Sequence, residues 1–391
     1  MGVIRRVEAF PLRLPSSAGQ QTPERYRSVA HVRSVYPTRD ETLLVRIATD
    51  DHVGWGEALT PVTPEAPAAV VERLLGPLLI GADVRGARPV TFGLQESMRE
   101  RGHLEGHHAD AVAAVDTALW DLLGKEMVRP VHELLGGAYR NRVPLYLTTV
   151  GGTGPEEKAA AAVEAYRGGF TRMKLHLSMD PEGVLRVVDA VLDALSRVAG
   201  QDRPPRIAVD THWVHDLASA RHLARAFDER GVWFFEAPLA PEDLSGHELL
   251  AAGSTTPVAV GEAMRSRFAF AQWAARRAVA VAQPDVGRTG ISEGSAIAGA
   301  VAAHHLPIAP HHSMATALAY AAGLHVTAAA ELVAAMEFGP GVLAKSSDLM
   351  TSEAMAEGAV ADGSVPIGAA PGLGVEVDEA AVRALAARFP D

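Results

Sequence analysis

RIAVDTHW, residues 206–213, runs a short apolar strand into a carboxylate, and two later stretches repeat the pattern: VWFFEAP (232–238) and PVAVGEAM (257–264). Each is β-rich, bounded by turn residues and too short for a buried helix. Outward from this trio the same texture returns in VPLYLTT (143–149), FTRMKLH (170–176), AVAVAQPD (278–285), LPIAPHH (306–312) and LVAAME (332–337). Helical stretches of about 15 residues separate them, the mark of βα units on a parallel sheet. Eight such strands fit a (β/α)₈-type barrel, whose strand C-termini carry the chemistry. From the second strand onward each ends in an ionisable residue: Lys174, Asp210, Glu236, Glu262, Asp285, His312 and Glu337. A single carboxylate after an apolar strand is equally well a helix N-cap. One per βα unit, seven times running, is more than capping produces.

Chemistry sorts these residues. Asp210, Glu236 and Glu262 come from three consecutive strands and should converge, and three carboxylates repel unless a cation neutralises them. The alternative is a network paired with arginines, but few arginines lie beside these strand ends. All-oxygen donors in a chain without cysteine favour Mg²⁺, with Mn²⁺ second. Asp285 and His312 sit on adjacent strands, where a carboxylate orients an imidazole and makes it a general base. Strand alternation lets only one of His311 and His312 face inward. Lys174 and His176, two apart, point the same way. Lys174 would bind a substrate carboxylate or stabilise an enolate; His176 offers a second acid or base, and His212 points with Asp210. Each of these histidines alone is as readily structural.

The first ~135 residues read as α+β. Strands fall at 3–14 and 42–49, and Gly54-Trp55-Gly56-Glu57 reads as a tight turn into a third. The pattern is then helical from Pro64, best over Ala109–Gly124, where Val112, Val115, Leu119 and Leu122 share a face. Leu134-Leu135-Gly136-Gly137 supplies a glycine stop. The tail PGLGVEVDEAAVRALAARF (371–389) reads as a strand and helix rejoining the first unit. The resulting division is 1–135 (capping part), 136–360 (barrel) and 361–391 (returning segment).

There are 47 acidic against 36 basic side chains, a net charge of −11, and no Lys/Arg-rich run. Such a surface repels nucleic acid. No uncharged apolar run reaches the ~18 residues of a membrane span, and the first residues lack the apolar core of a signal peptide. A cytoplasmic enzyme of a small carboxylate, with neither nucleic-acid nor membrane partner, is the expectation.

These motifs together resemble the enolase superfamily, mandelate racemase/muconate lactonizing enzyme family (mandelate racemase subgroup), over essentially the whole chain. The resembling stretches include Gly54–Glu57, the helix at 109–124, VDTHW (209–213), FEAP (235–238), GEAM (261–264), QPDVGRTGISEG (283–294), APHHS (309–313) and GLGVEVD (372–378). The resemblance implies an α/β fold: a (β/α)₇β modified TIM barrel under an α+β capping domain built from both chain ends. It implies Mg²⁺ on Asp210, Glu236 and Glu262, an Asp285–His312 dyad, and Glu337 as a hydrogen-bonding acid. The spacing from the histidine pair to Glu337 favours His312 over His311 as base, leaving His311 to the substrate.

The family's reaction begins with abstraction of the proton α to a metal-bound carboxylate, and Lys174 would help stabilise the enediolate. Racemases of the subgroup resemble K-x-K on the second strand; here it is Lys174-Leu175-His176. Asp210-Thr211-His212 instead resembles the D-x-H of sugar-acid dehydratases, whose histidine protonates the departing β-hydroxyl. The expectation is dehydration of an aldonic or aldaric acid to a 2-keto-3-deoxy acid, with His312 as base, His212 as acid and His176 assisting. The alternatives are a racemase, epimerase or cycloisomerase using His176 as second base, and a non-catalytic sugar-acid-binding protein. Capping loops at 15–38 and 57–66 would set specificity, with Arg25, Tyr26 and His31 as substrate contacts. The resemblance also implies a homo-oligomer, dimer to octamer.

Overall fold

Among the described residues, five strands precede the first α-helix: β1 (Arg6–Arg13), β2 (Tyr26–Val29), β3 (Ser34–Pro37), β4 (Glu41–Ala48) and β5 (Val53–Ala58). The computed structural model describes residues 2–14, 24–200, 202–356 and 358–389; the 15–23 part of the expected specificity loop lies outside the described residues. β1, β4 and β5 form one antiparallel sheet, while β2 and β3 pair as a separate hairpin. The expected turn at Gly54–Glu57 is instead the interior of β5. Its glycines answer to packing rather than to a bend. A Cβ on Gly54 would stand 2.2 Å from the Ala118 carbonyl oxygen, and one on Gly56 2.0 Å from that of Ala114. The helix Gly106–Met127 therefore lies directly on the strand. That helix buries more than one stripe, because β4 and β5 cover one side and helix Val286–Ala302 the other. It ends at Val128, whose left-handed φ of 52° breaks the repeat.

The barrel follows the sequence closely. Its strands are β6 (Arg142–Leu147), β7 (Arg172–His176), β8 (Arg206–Asp210), β9 (Phe235–Glu236), β10 (Val258–Val260), β11 (Val281–Ala282) and β12 (Met336–Phe338). They are parallel neighbours in the order β11–β10–β9–β8–β7–β6–β12. Residues 307–311 close the ring between β11 and β12. Ala309 N–H donates to the Ala282 carbonyl (2.7 Å), Ile308 N–H to Leu332 (3.0 Å) and Glu337 N–H to Pro310 (3.0 Å). Pro307 and Pro310 have no N–H to give, so this stave is joined by single bridges instead of a full ladder. Seven helices, from Pro155–Arg167 to Ala317–Ala329, follow the first seven staves. Tyr146, Ala208, Phe234, Ala259, Val281, Ala309 and Ala335 pack together inside the ring, a filled core rather than a pore.

The tail contributes β13 (Met350–Ser352), β14 (Ser364–Pro366) and β15 (Val375–Val377). β15 pairs with β13, and β14 pairs with the start of β6. Helix Glu379–Ala386 returns to the first sheet, tied to β1 by Arg383–Glu8 and to β4 by Arg46–Glu379, each 3.0 Å. Among the described residues no helix is long and apolar enough to cross a membrane.

Glu57, expected in a specificity loop, is a fully buried bolt between β5 and the barrel. Its carboxylate accepts from Thr42 Oγ1 (2.7 Å), Thr316 N–H (2.8 Å), Thr316 Oγ1 (2.6 Å) and Ala319 N–H (3.0 Å). Two of these donors open helix Ala317–Ala329, whose N-terminus favours a negative charge. Glu57→Ala takes this acceptor from all four donors, of which Thr42 Oγ1 keeps a second, the Ala58 carbonyl (3.0 Å), so urea unfolding should show a loss of about 2–4 kcal/mol. A loss below about 0.5 kcal/mol would contradict this role.

Candidate active site

Strand register brings the predicted residues to one rim. His176 pairs with Asp210 across β7–β8, and Asp210 with Glu236 across β8–β9. Lys174, fully buried, sets Nζ 2.6 Å from Glu236 Oε1 and 2.9 Å from Glu337 Oε1. Tyr146 donates its phenol hydrogen to Glu337 Oε2 (3.1 Å), and Gln283 donates to Glu236 Oε2. Burial disfavours the Lys174 ammonium, but Glu236 and Glu337 outweigh it and hold the lysine well above its usual range. Burial also lifts Glu236, to about 7; Lys174 opposes the rise, while Asp210, Glu337 and Glu262 add to it.

The two adjacent histidines exchange the places expected for them. His311, not His312, meets Asp285: its Nδ1 is 2.6 Å from Asp285 Oδ2. The reason is register, since Asp285 and His311 are bridge partners and their side chains leave the sheet on the same side. His311 Nε2 then lies 3.0 Å from Glu262 Oε2 and 3.9 Å from Glu337 Oε2. Burial works against its charged form, but Glu262, Glu337 and Asp285 together hold it well above the usual histidine range. Asp285 is fixed in turn by Gly287 N–H (2.8 Å), as cap of the following helix. His312 turns the other way, into the core. Its ring stands edge-on to Tyr320 at 5.3 Å, its Nε2 has no partner, and burial pushes its pKa down to about 4.

β8 ends at Asp210, and the chain then takes a left-handed turn, with φ of 51° at His212 and 60° at Trp213. Non-glycine residues pay strain for such φ, which recurs at functional sites. Here the turn swings the His212 N–H onto Asp210 Oδ1 (2.8 Å) while its ring reaches the capping hairpin. There Tyr36 OH lies 2.6 Å from His212 Nε2. His176 bridges Asp210 Oδ2 (2.8 Å, Nδ1) and Thr148 Oγ1 (2.7 Å, Nε2).

The expected specificity residues are placed differently. Arg25 is committed to Glu41 (2.7 Å) and Glu65 (2.7 Å), and Tyr26 donates to Glu41 (3.0 Å) while accepting from Thr63 N–H (3.0 Å). Both hold the hairpin in place, and His31 is exposed. Tyr36, Tyr146, Thr148 and Gln283 are the site residues that sequence reasoning missed. Gln283 had a signal, lying two residues before Asp285 in the same strand run. Tyr36 had none, because hairpin docking is a tertiary fact.

Asp210, Glu236 and Glu262 occupy neighbouring rim positions, but each is turned onto a cationic or protic partner: His176, Lys174 with Gln283, and His311. Among the described residues no three such side chains stand together in metal-holding geometry. Their mutual repulsion nonetheless contributes to lifting Glu236. Hard, buried oxygen donors that repel one another suit a divalent cation such as Mg²⁺.

Comparison with known proteins agrees with this geometry. Residues 26–136 match the mandelate racemase/muconate lactonizing enzyme N-terminal domain, and residues 157–381 match the enolase C-terminal domain-like family. A D-galactonate dehydratase of Ralstonia nicotianae is 31% identical over 361 residues, covering 89% of this chain and 92% of that protein. A D-galactarolactone cycloisomerase of Agrobacterium fabrum is 33% identical over 304 residues, 76% of each. The crystal structure of an enolase superfamily member from Agrobacterium tumefaciens superposes with a TM-score of 0.90 at 28% identity, covering 98% of both chains. With both halves of the family matched and the rim residues at its strand ends, the chain belongs to the mandelate racemase/muconate lactonizing enzyme family of the enolase superfamily.

Proposed function

We propose that this enzyme dehydrates a sugar acid, an aldonate or aldarate, to a 2-keto-3-deoxy acid. The observation that supports the reading is the Asp285–His311 pair: Nδ1 is tied to a carboxylate and Nε2 is turned onto the carboxylate cluster. So oriented, and once that carboxylate charge is taken up, His311 can act as the base for the proton α to a substrate carboxylate. His311 lies on the seventh stave and His212 follows the third, four apart in a ring of eight and so on opposing walls. Base and acid therefore face the substrate from opposite sides. That arrangement suits anti elimination, with His311 removing the α-proton and His212 protonating the β-hydroxyl as it leaves. Lys174 places a fixed cation beside the charge developing on the carboxylate. His176, held between Asp210 and Thr148, orients Asp210 or contacts the sugar hydroxyls.

Enolase superfamily members generally use Mg²⁺, and Asp210, Glu236 and Glu262 would hold it here. Bound there, it supplies a Lewis acid for the substrate carboxylate and takes up carboxylate charge that otherwise keeps His311 protonated. Of the two named relatives, the D-galactonate dehydratase supports this reading and the D-galactarolactone cycloisomerase the isomerase alternative.

The test is to incubate the purified enzyme with Mg²⁺ and a panel of mono- and diacid sugars, assaying 2-keto acids with semicarbazide. One or a few acids should yield product, EDTA should cut the rate by at least about 10³-fold, and excess Mg²⁺ should restore it. Turnover that survives EDTA would contradict the metal assignment. An isomer of the same formula, with no keto acid, would favour the isomerase reading.

A further inference from the structure

The Tyr36–His212 contact joins a residue of the capping hairpin to the proposed acid across 176 positions of sequence. Tyr36 sits on β3, paired with β2 in the hairpin that Arg25 and Tyr26 lock onto Glu41 and Glu65. Its ring is half-buried and tilts against the His212 ring at 6.2 Å between centroids. Among the described residues, His212 is held from below by its backbone N–H on Asp210 and by ring contact with Trp213, 4.6 Å between centroids. The strained turn thus places the imidazole without fixing its rotation, and the 2.6 Å bond from Tyr36 fixes it. A phenol has one hydrogen to donate. Whichever partner donates, the contact occupies Nε2 and leaves Nδ1 as the ring nitrogen free to face a substrate.

Resting on the dehydratase reading above, we infer that Tyr36 is a positioning residue for the second half-reaction. It holds His212 in the rotation in which Nε2 faces Tyr36 and Nδ1 is left to pass a proton to the β-hydroxyl, which leaves as water. Elimination then depends on the docked hairpin, whereas α-proton removal by His311, which Tyr36 does not touch, does not. A merely structural Tyr36 would affect both steps alike.

The experiment runs full-length wild type and Tyr36→Phe with Mg²⁺ in D₂O on an acid the wild type dehydrates. NMR follows α-deuterium in recovered substrate alongside keto acid formed. The variant should lose dehydration by at least about tenfold while α-proton removal stays within about twofold, so that exchange rises relative to elimination. Adding Tyr36→Phe to His212→Asn should cost nothing further. Equal loss of both steps, an unchanged ratio, or additive losses in the double variant would overturn the role of Tyr36 while leaving the dehydratase reading intact. A wild type that exchanges the α-proton of the sugar acids in the panel but dehydrates none of them overturns both.

Discussion

His311→Asn is expected to lower dehydration by about 10³-fold or more and to abolish α-proton exchange with solvent, with the fold intact. Asparagine keeps a polar group near Asp285 but offers no basic nitrogen. His312→Asn is the informative partner. His312 is buried against Tyr320, with its Nε2 unpartnered and its pKa down at about 4. Packed edge-on to Tyr320, its ring faces away from the carboxylate rim and so away from a substrate there. Its replacement should cost about 1–2 kcal/mol of stability and keep turnover within about tenfold of wild type. The reverse ranking, inactive at 312 and active at 311, would mean that the substrate meets a rearranged seventh stave.

The second large effect is expected from Lys174→Met. The lysine is fully buried between Glu236 and Glu337, and removing it takes away the cation that separates the two carboxylates. Breaking a buried pair by deleting one partner typically costs about 3–5 kcal/mol, far more than the pair itself contributes. Turnover should also fall by at least about 10²-fold, through loss of the charge beside the substrate carboxylate. The destabilisation should depend on pH. Glu236 is raised to about 7, even with Lys174 opposing the rise. A carboxyl raised in the folded state stabilises most below its unfolded pKa and loses that contribution as pH rises through the folded value. Without Lys174 the folded value climbs further. In chelating buffer, the deficit of Lys174→Met relative to wild type should therefore shrink between pH 8 and pH 5.5, conditions set around the value of about 7. Thermal melts at the two pH values check this; a deficit that grows on acidification would reverse the assignment.

Much of the barrel was legible because its signal repeats. An ionisable residue closes strand after strand, so an uncertain bound at one, such as the two-residue β9, is corrected by its neighbours. The seventh stave is where counting failed. Pro307 and Pro310 break the ladder, so the inward residue is set by the single Asp285–His311 bridge, which alternation from either end cannot locate. Gly54 and Gly56 misled for a related reason: glycine marks a turn and a close backbone approach equally well, and only the helix seated on β5 decides between them. The capping hairpin was the least legible part. Arg25 and Tyr26 have the chemistry of substrate contacts but are consumed by Glu41 and Glu65, while Tyr36, an unremarkable residue in the sequence, reaches the rim.

In the proposed mechanism His311 and His212 act in turn, from opposing walls, on one substrate. The most direct test supplies a sugar acid in D₂O with Mg²⁺ and tracks the product by NMR and mass spectrometry in wild type, His311→Asn and His212→Asn. The expected result is a keto acid one water lighter from wild type, neither product nor α-exchange from His311→Asn, and α-exchange without dehydration from His212→Asn. An α-deuterated isomer of unchanged formula from wild type, or full dehydration by His212→Asn, would contradict it.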